Sequence, residues 1–384
     1  MRTSALLSGG LLAHLGYPGL PTYTAMGRDV LDRIEYALAG AAERSGFSRI
    51  HIPSIMKDSD LEAGQEVGEQ FLGKILFLSD MMSGYHLMTS PEMLLTGALV
   101  DAPLSHRDLP VRASYLTDIF RQMKNTRSIL RLRQFRVLGG LALTAEPAGV
   151  GGALQDLVRA TVGTLDRFGL RTTATWRSDP LHVELFCAST EGSTNVPDPA
   201  SLTGRTKALS LAIGYHYGAG LPPTVSYRSS DNTLAGASVA TYALCTNRVL
   251  YAVFDQHRDS LGFALPAELR PFDVVVVPSG GAALPTAERL YDVLVAAGVR
   301  AALDDRVNRS VVARHRFADY VGAAVRLEVS CDGQVSGRLR GGTASVLDCD
   351  DPVDVSRSLR RLLDDDTRQG SSSRKDTVPC PTPS

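Results

Sequence analysis

The chain has 384 residues, enough for two domains that each bury their own core. Hydrophobic residues make up 44% and charged residues 21%, the balance of an ordinary soluble globular protein. Lys and Arg number 40 against 41 acids, a net charge of −1. No global basic field therefore marks a nucleic-acid binder, and any such contact must come from a local patch. The five cysteines (Cys187, Cys245, Cys331, Cys349 and Cys380) are odd in number and form no CxxC pair. That argues against a disulfide framework or structural zinc and fits a reduced, cytoplasmic protein. The stretch MRTSALLSGGLLAHLGYPG is mildly apolar, but Gly and His interrupt it, and it supports no membrane span.

In chain order, residues 25–45 place Val30, Ile34, Ala37 and Leu38 at helical spacing, with Gly46 as the stop. RIHIPSI (49–55) alternates like a strand, and ILFLSD with YHLMTS predicts a hairpin near 75–90. PEMLLTGALV starts a helix with Pro91 in its first turn. Two strands are expected between 110 and 144 around the polar turn QMKNT. An amphipathic helix follows at 152–169, then the strands TTATW and HVELFCA. Residues 189–207 are loop-like in composition. ALSLAIGYHYG and SVATYAL read as strands and VLYAVFDQH as a helix. The first 260 or so residues thus predict a mostly antiparallel sheet with packed helices.

After LPAELRPFD (265–273) the pattern changes. FDVVVVPSG, VRAALDD and AVRLEVS read as strands, separated by the helices TAERLYDVLVAAG and VARHRFADYVG and closed by the helix PVDVSRSLRRLLDD. Such alternation predicts a small parallel or mixed α/β domain. The tail TRQGSSSRKDTVPCPTPS has no apolar periodicity and reads as disordered.

The stretch 121–136, RQMKNTRSILRLRQFR, carries Arg121, Lys124, Arg127, Arg131, Arg133 and Arg136 without an acid. On a strand Arg131, Arg133 and Phe135 share a face. Guanidinium forks beside an aromatic ring suit a nucleotide, phosphate meeting the fork and base the ring. A solvated basic strand accounts for the same residues equally well.

The order of these features resembles a class II aminoacyl-tRNA synthetase, closest to the prolyl type. Helix 25–45 with IHIPSI looks like motif 1, the dimer-forming element. IFRQMKNTRSILRLRQF looks like motif 2, and YALCTNR stands in the place of motif 3, Gly-x-Gly-x-x-Arg. NRVLYAVFDQHRDSLGFALPAELRPFDVVVVP follows the prolyl-type run from motif 3 into an anticodon-binding domain. The resemblance implies an α+β fold in which a class II catalytic domain, an antiparallel sheet flanked by helices, spans 1–265. A small α/β anticodon-binding-like domain follows at 270–365, then the tail at 366–384. It implies that ATP, with Mg2+, activates an amino acid, proline or a similar small one, and that the protein is a homodimer through motif 1. Arg121 would hold the α-phosphate and Arg248 the γ-phosphate. Phe135 would stack on adenine, and Arg131 or Arg133 would reach the triphosphate. The amino-acid side would draw on Thr89 or Ser90 with Glu92 from TSPE, on Glu184, and on His216. A one-residue shift of His216 from the family position turns it to the other face of its strand.

Three departures accompany the match. Motif 2 has Met123 where the family has Glu, and a thioether is a poor acceptor. Ala243 and Cys245 replace the glycines of motif 3; both suit a strand but put side chains where a ligand would approach closely. Roughly 105 residues separate Phe135 from Ala243, leaving no room for the large editing insertion common in bacterial prolyl enzymes. Two functions follow. One is a ligase that forms an aminoacyl adenylate and passes it to tRNA or to a pathway-specific carrier or small-molecule acceptor. The other is a catalytically inactive paralog that acts as a regulatory, accessory or RNA-binding subunit. In the second domain, Arg306, Arg309, Arg314 and Arg316 offer either an RNA contact or the solvated face of a helix.

Overall fold

The computed structural model describes residues 12–14, 17–63, 75–76, 83–100, 104–178, 181–189, 207–217, 225–342, 344–346 and 359. The expected loop at 189–207, most of the expected final helix and the C-terminal tail lie outside the described residues, apart from Ser189, Lys207 and the buried, helical Leu359. The chain divides into two compact units, Met1–Gln256 and His257–Ser384.

The first unit opens with a short hairpin, β1 (Leu12–His14) and β2 (Pro21–Tyr23), and helix α1 (Ala25–Arg44). Thr24 caps α1 by accepting the Gly27 N–H. Val30, Leu31, Ile34 and Leu38 recur at three- and four-residue spacing and are almost fully buried. Gly46, at φ 83°, turns the chain out of the helix.

The sheet of this unit has nine strands among the described residues. Its spine runs β3 (Ser48–Arg49), β7 (Val111–Phe120), β8 (Gln134–Thr144), β13 (Leu234–Cys245), β11 (Lys207–Tyr217), β10 (Leu181–Ser189) and β9 (Thr172–Ser178). All neighbours are antiparallel except β3 with β7. Off this spine, β12 (Val225–Arg228) pairs antiparallel with β13, and β6 (Leu104–Ser105) pairs parallel with β12. Helix α4 (Pro147–Arg167) lies on one face. There Gly140 leaves space for Leu157, whose Cδ2 would be 2.5 Å from an added Cβ. Its neighbour Gly139 serves the other face: a Cβ there would be 2.0 Å from the ring of Tyr115. One pair of glycines thus admits a helix on one side of the sheet and an aromatic ring on the other.

The same alternation puts Ile119, Phe135, Val137, Ala243, Cys245, Ile213, Tyr215 and Glu184 on the Tyr115 face. The register Ile119↔Phe135, Val137↔Cys245, Ala243↔Ile213 and Ile213↔Glu184 fixes this. After the short helix α2 (Asp58–Ala63), helix α3 (Pro91–Val100) supplies the start of a further wall, and α5 (Thr246–Gln256) leaves β13 directly.

Two local expectations need correction. RIHIPSI is not a continuous strand. Only Ser48–Arg49 and β4 (Ile55–Lys57) pair, and Pro53 between them has no N–H to give a ladder. The expected hairpin near 75–90 falls largely on residues 77–82, outside the described residues; β5 (Tyr85–Leu87) pairs with β4, and the Leu87 N–H donates to Leu76 O. Strand β8 starts only at Gln134, so Arg131 and Arg133 precede the strand on which they were expected to share a face.

Among the described residues, the second unit has a five-stranded sheet in the order β15 (Ala301–Leu303), β14 (Val274–Pro278), β16 (Val325–Val329), β17 (Val335–Leu339) and β18 (Ala344–Val346). The first three strands are parallel, and β17 and β18 add antiparallel. Helices α6 (Leu284–Ala296) and α7 (Val311–Tyr320) accompany them. Val274, Val276, Leu290, Leu294 and Leu327 form the core. The two antiparallel strands were not foreseen. Arg314 was expected on a solvated or RNA-facing surface but is 1% exposed. It donates to Pro278 O at 2.6 Å, at the end of β14. Two main chains meet at Gly262 and Gly322. A Cβ on Gly262 (φ 147°) would lie 2.4 Å from Tyr320 Cα, and one on Gly322 (φ 81°) would lie 2.3 Å from Phe263 O.

Candidate active site

On the Tyr115 face of the first unit's sheet lies a cavity of about 290 Å3. Its floor is Ile119, Phe135, Val137, Ala243, Cys245, Ile213 and Tyr215, the residues that the strand register aligns. Of the predicted site residues, Glu92, Arg121, Arg131, Phe135 and Arg248 line it, together with Met123, Ala243 and Cys245. They come from α3, the end of β7, the 121–133 connection, β8, the end of β13 and the first turn of α5.

Arg121 sits at the end of β7, and its N–H donates to Arg133 O at 2.8 Å. Its guanidinium lies 5.3 Å above the Phe135 ring. Burial lowers the Arg121 pKa from its usual value, the nearby Glu92 carboxylate opposes that shift, and Arg248 adds to it. An acid and two arginines therefore share one field. Glu92 also helps to push up the phenols of Tyr115, Tyr215 and Tyr217, although burial is the main cause in each. Burial likewise raises the Cys245 thiol, against the pull of Arg248.

Arg248 is already partnered. Its Nη1 donates to Ser210 O at 2.8 Å and its Nε to Leu130 O at 3.3 Å. Leu130 belongs to a tight turn in which Arg127 and Arg131 exchange backbone hydrogen bonds, with Ser128 at φ 47°. The turn sends Ile129, Leu130 and Leu132 to the cavity wall, with at most 7% of each exposed.

The other predicted residues lie elsewhere. Thr89 and Ser90 are fully buried outside the lining, and the Thr89 hydroxyl donates to Leu87 O. Arg133 turns away, donating to Met123 O and Pro18 O, while its own N–H bonds Gly19 O. Glu184 shares the cavity's face of the sheet but not its lining, and acts on His182 and Tyr215. His216 points to the opposite face, as the strand shift predicts, and burial lowers its pKa.

Several further residues line the cavity, Ser210, Ile213 and two aromatic positions on β11 among them. Tyr215 and Tyr217 continue the alternation of Ile213 along β11, a signal present in SLAIGYHY. Tyr215 stacks on His182, with centroids 4.8 Å apart and planes 8° apart. Ile129, Leu130 and Leu132 were hidden among the arginines around them.

Among the described residues, no three His, Cys, Asp or Glu side chains cluster as a metal site, and Glu92 is the cavity's one lining carboxylate. Mg2+ is commonly held by one or two carboxylates plus substrate phosphates rather than by an all-protein cage, and among the described residues Glu92 is the lining group of that kind. Among the described residues, no helix is long and apolar enough to cross a membrane.

Comparison with known proteins gives a consistent pattern. Residues 273–338 match the anticodon binding domain family. The chain is 21% identical over 323 residues to a proline–tRNA ligase of Borreliella burgdorferi (strain ZS7), covering 79% of this chain and 64% of that protein. It is 23% identical over 364 residues to the proline–tRNA ligase of Thermoplasma acidophilum, covering 89% and 74%. Among solved structures, Giardia lamblia prolyl-tRNA synthetase in complex with prolyl-adenylate superposes with a TM-score of 0.78 at 18% identity, over 96% of this chain and 79% of that one. The Cryptosporidium parvum enzyme, complexed with halofuginone and AMPPNP, gives 0.77 at 14% identity, over 96% and 78%.

Proposed function

Starting from a chain that is prolyl-tRNA synthetase-like in sequence and carries the class II fold, we propose that its cavity activates an amino acid with ATP as an aminoacyl adenylate. The amino-acid carboxylate attacks the α-phosphorus, pyrophosphate leaves, and the aminoacyl group then passes to tRNA or to a pathway-specific acceptor as AMP leaves. The observation that carries this reading is the convergence of Glu92, Arg121, Phe135 and Arg248 on one cavity. Glu92 binds the substrate ammonium, Arg121 the α-phosphate and Arg248 the γ-phosphate. Adenine takes the face of Phe135 that Arg121 leaves open. The reaction needs positioning and charge neutralisation more than a general base, and these residues supply both. Proline or a similar small amino acid suits the apolar wall of Ile213, Ala243 and Val137.

The matched domain, with Arg309 and Arg316 exposed on the second unit, supports tRNA as a partner. Arg306 is less available: it pairs with Asp304 and lies 4.2 Å above the Phe317 ring. We place a homodimer contact at α1, where Tyr36 is 78% exposed, and the protein in the cytoplasm.

A second reading, the inactive paralog, draws on a specific observation. Arg248 is held by two backbone carbonyls, and the cavity falls at the small end of ligand pockets, which start near ~300 Å3. ATP–pyrophosphate exchange over a panel of amino acids separates the two. Exchange with one of them supports the ligase. No exchange, together with no heat of ATP binding in calorimetry, leaves the paralog.

A further inference from the structure

Helix α1 turns an otherwise apolar face inward, built from Val30, Leu31, Ile34, Leu38, Ala41 and Ala42. Glu35 lies on that face and is 4% exposed, although a buried carboxylate is among the costliest groups to take out of water. An apolar residue would serve the packing better. The carboxylate instead holds another element. One oxygen accepts a hydrogen bond from Thr246 Oγ1 at 3.0 Å. The other lies 3.5 Å from the guanidinium of Arg28 and 3.6 Å from that of Arg136.

Thr246 is the first residue of α5, fully buried, and two positions before Arg248. Its neighbour Asn247 accepts the Arg136 N–H at 2.7 Å and donates to the hydroxyl of Tyr23. The opening turn of α5 is therefore tied to α1 through Glu35 and Thr246, to β8 through Asn247 and Arg136, and to β2 through Asn247 and Tyr23. Helix openings carry unbonded N–H groups and fray unless side chains fix them. Arg248 leaves from this fixed turn and reaches the cavity.

We infer that Glu35 is a positioning residue: its buried carboxylate anchors the first turn of α5 through Thr246 and thereby sets the direction in which Arg248 enters the cavity. The inference rests on the reading of Arg248 as a phosphate ligand. It has two consequences. Loss of the anchor weakens the nucleotide half of the site and spares the amino-acid half, which hangs on α3. Glu35 and Thr246 also act as one unit.

The test uses Glu35→Ala, Glu35→Gln, Thr246→Val and the Glu35→Ala/Thr246→Val double variant of the full chain. In amino acid-dependent ATP–pyrophosphate exchange, Glu35→Ala and Thr246→Val each raise KM for ATP by roughly tenfold, the size of a lost charge-assisted hydrogen bond. KM for the amino acid stays within about twofold, and the double variant is no worse than either single one. Glu35→Gln, which keeps an acceptor for Thr246 without the charge, falls between wild type and Glu35→Ala, and it carries the test if Glu35→Ala does not fold. A lowered melting temperature with KM for ATP unchanged overturns the inference. Amide hydrogen exchange at residues 246–249 gives a readout independent of activity. If the wild type neither exchanges pyrophosphate nor binds ATP, the ligase reading fails. Faster amide exchange in Glu35→Ala, or in Glu35→Gln where the alanine variant does not fold, then still supports the anchor, and unchanged exchange overturns it.

Discussion

Arg248 in the first unit and Arg314 in the second begin from the same situation and end differently. Each extends from a helix after a strand and gives a guanidinium N–H to a backbone carbonyl: Ser210 O for Arg248 and Pro278 O for Arg314. Arg314 is 1% exposed and packed on every side, so its hydrogen bonds close off the end of β14 and nothing else can reach it. Arg248 is partly exposed and opens onto a cavity that also holds Arg121 and Glu92. A carbonyl partner therefore does not by itself make an arginine structural. What separates the two is whether space remains beside the guanidinium for an anion.

The largest effect expected from this contrast is on chemistry. Arg248→Ala lowers kcat/KM for pyrophosphate exchange by about 10²–10³-fold, the range seen when one charge-stabilising donor is removed. It costs only about 1 kcal/mol of stability, the net worth of the carbonyl bonds. Full activity in that variant breaks the comparison on the cavity side. Next in size, Arg314→Ala destabilises the second unit by about 3 kcal/mol, because it leaves a void and a buried carbonyl without a donor. Chemical denaturation of both variants gives the check: equal losses would mean that the two arginines do the same work.

A smaller change sharpens the contrast within the cavity. Leu130→Ala shortens the side chain beside Arg248, costs about 2 kcal/mol of stability, and tightens ATP binding about threefold in calorimetry. Unchanged affinity would show that Leu130 does not limit the nucleotide.

The smallest effect is one of pH. Hydrogen bonds from Arg340 hold the Asp259 carboxyl down at about 2, helped by the N–H groups of Leu261 and Gly262. A depressed carboxyl contributes stability that is present above its unfolded value, near ~4, and is lost as pH falls through about 2. The second unit thus loses a small increment across that window. Arg340→Met flattens the loss, which acid titration of its unfolding midpoint measures.

Much of the architecture was legible because it rests on local periodicity. The spacing of Val30, Ile34 and Leu38 gives α1, and the run VVVV gives β14. Strands β17 and β18 were missed because Val335–Leu339 includes Ser, Gly and Arg, with low strand propensity, although Asp332-Gly333 before it is a hairpin signal. At the site, Arg121, Phe135 and Arg248 could be placed together only through a family resemblance, since residues more than a hundred positions apart meet by strand register. The same register separates Tyr215 from His216. Arg133 was misjudged because the turn around Ser128 delays the start of β8, and no alternation rule applies before a strand begins. Glu35 gave no signal: one acid on an apolar helix face looks the same whether it is buried or reaches solvent.

The meeting of Gly262 with Tyr320, and of Gly322 with Phe263, has a consequence for how this protein can change. At each glycine a second main chain occupies the place of a side chain, so no compensating substitution in a neighbour can make room. Surface arginines, loop lengths and even the lining of a cavity can drift one residue at a time. These two positions can change only if two stretches of backbone move together, which makes the junction a poor place for a tag, an insertion or a new terminus.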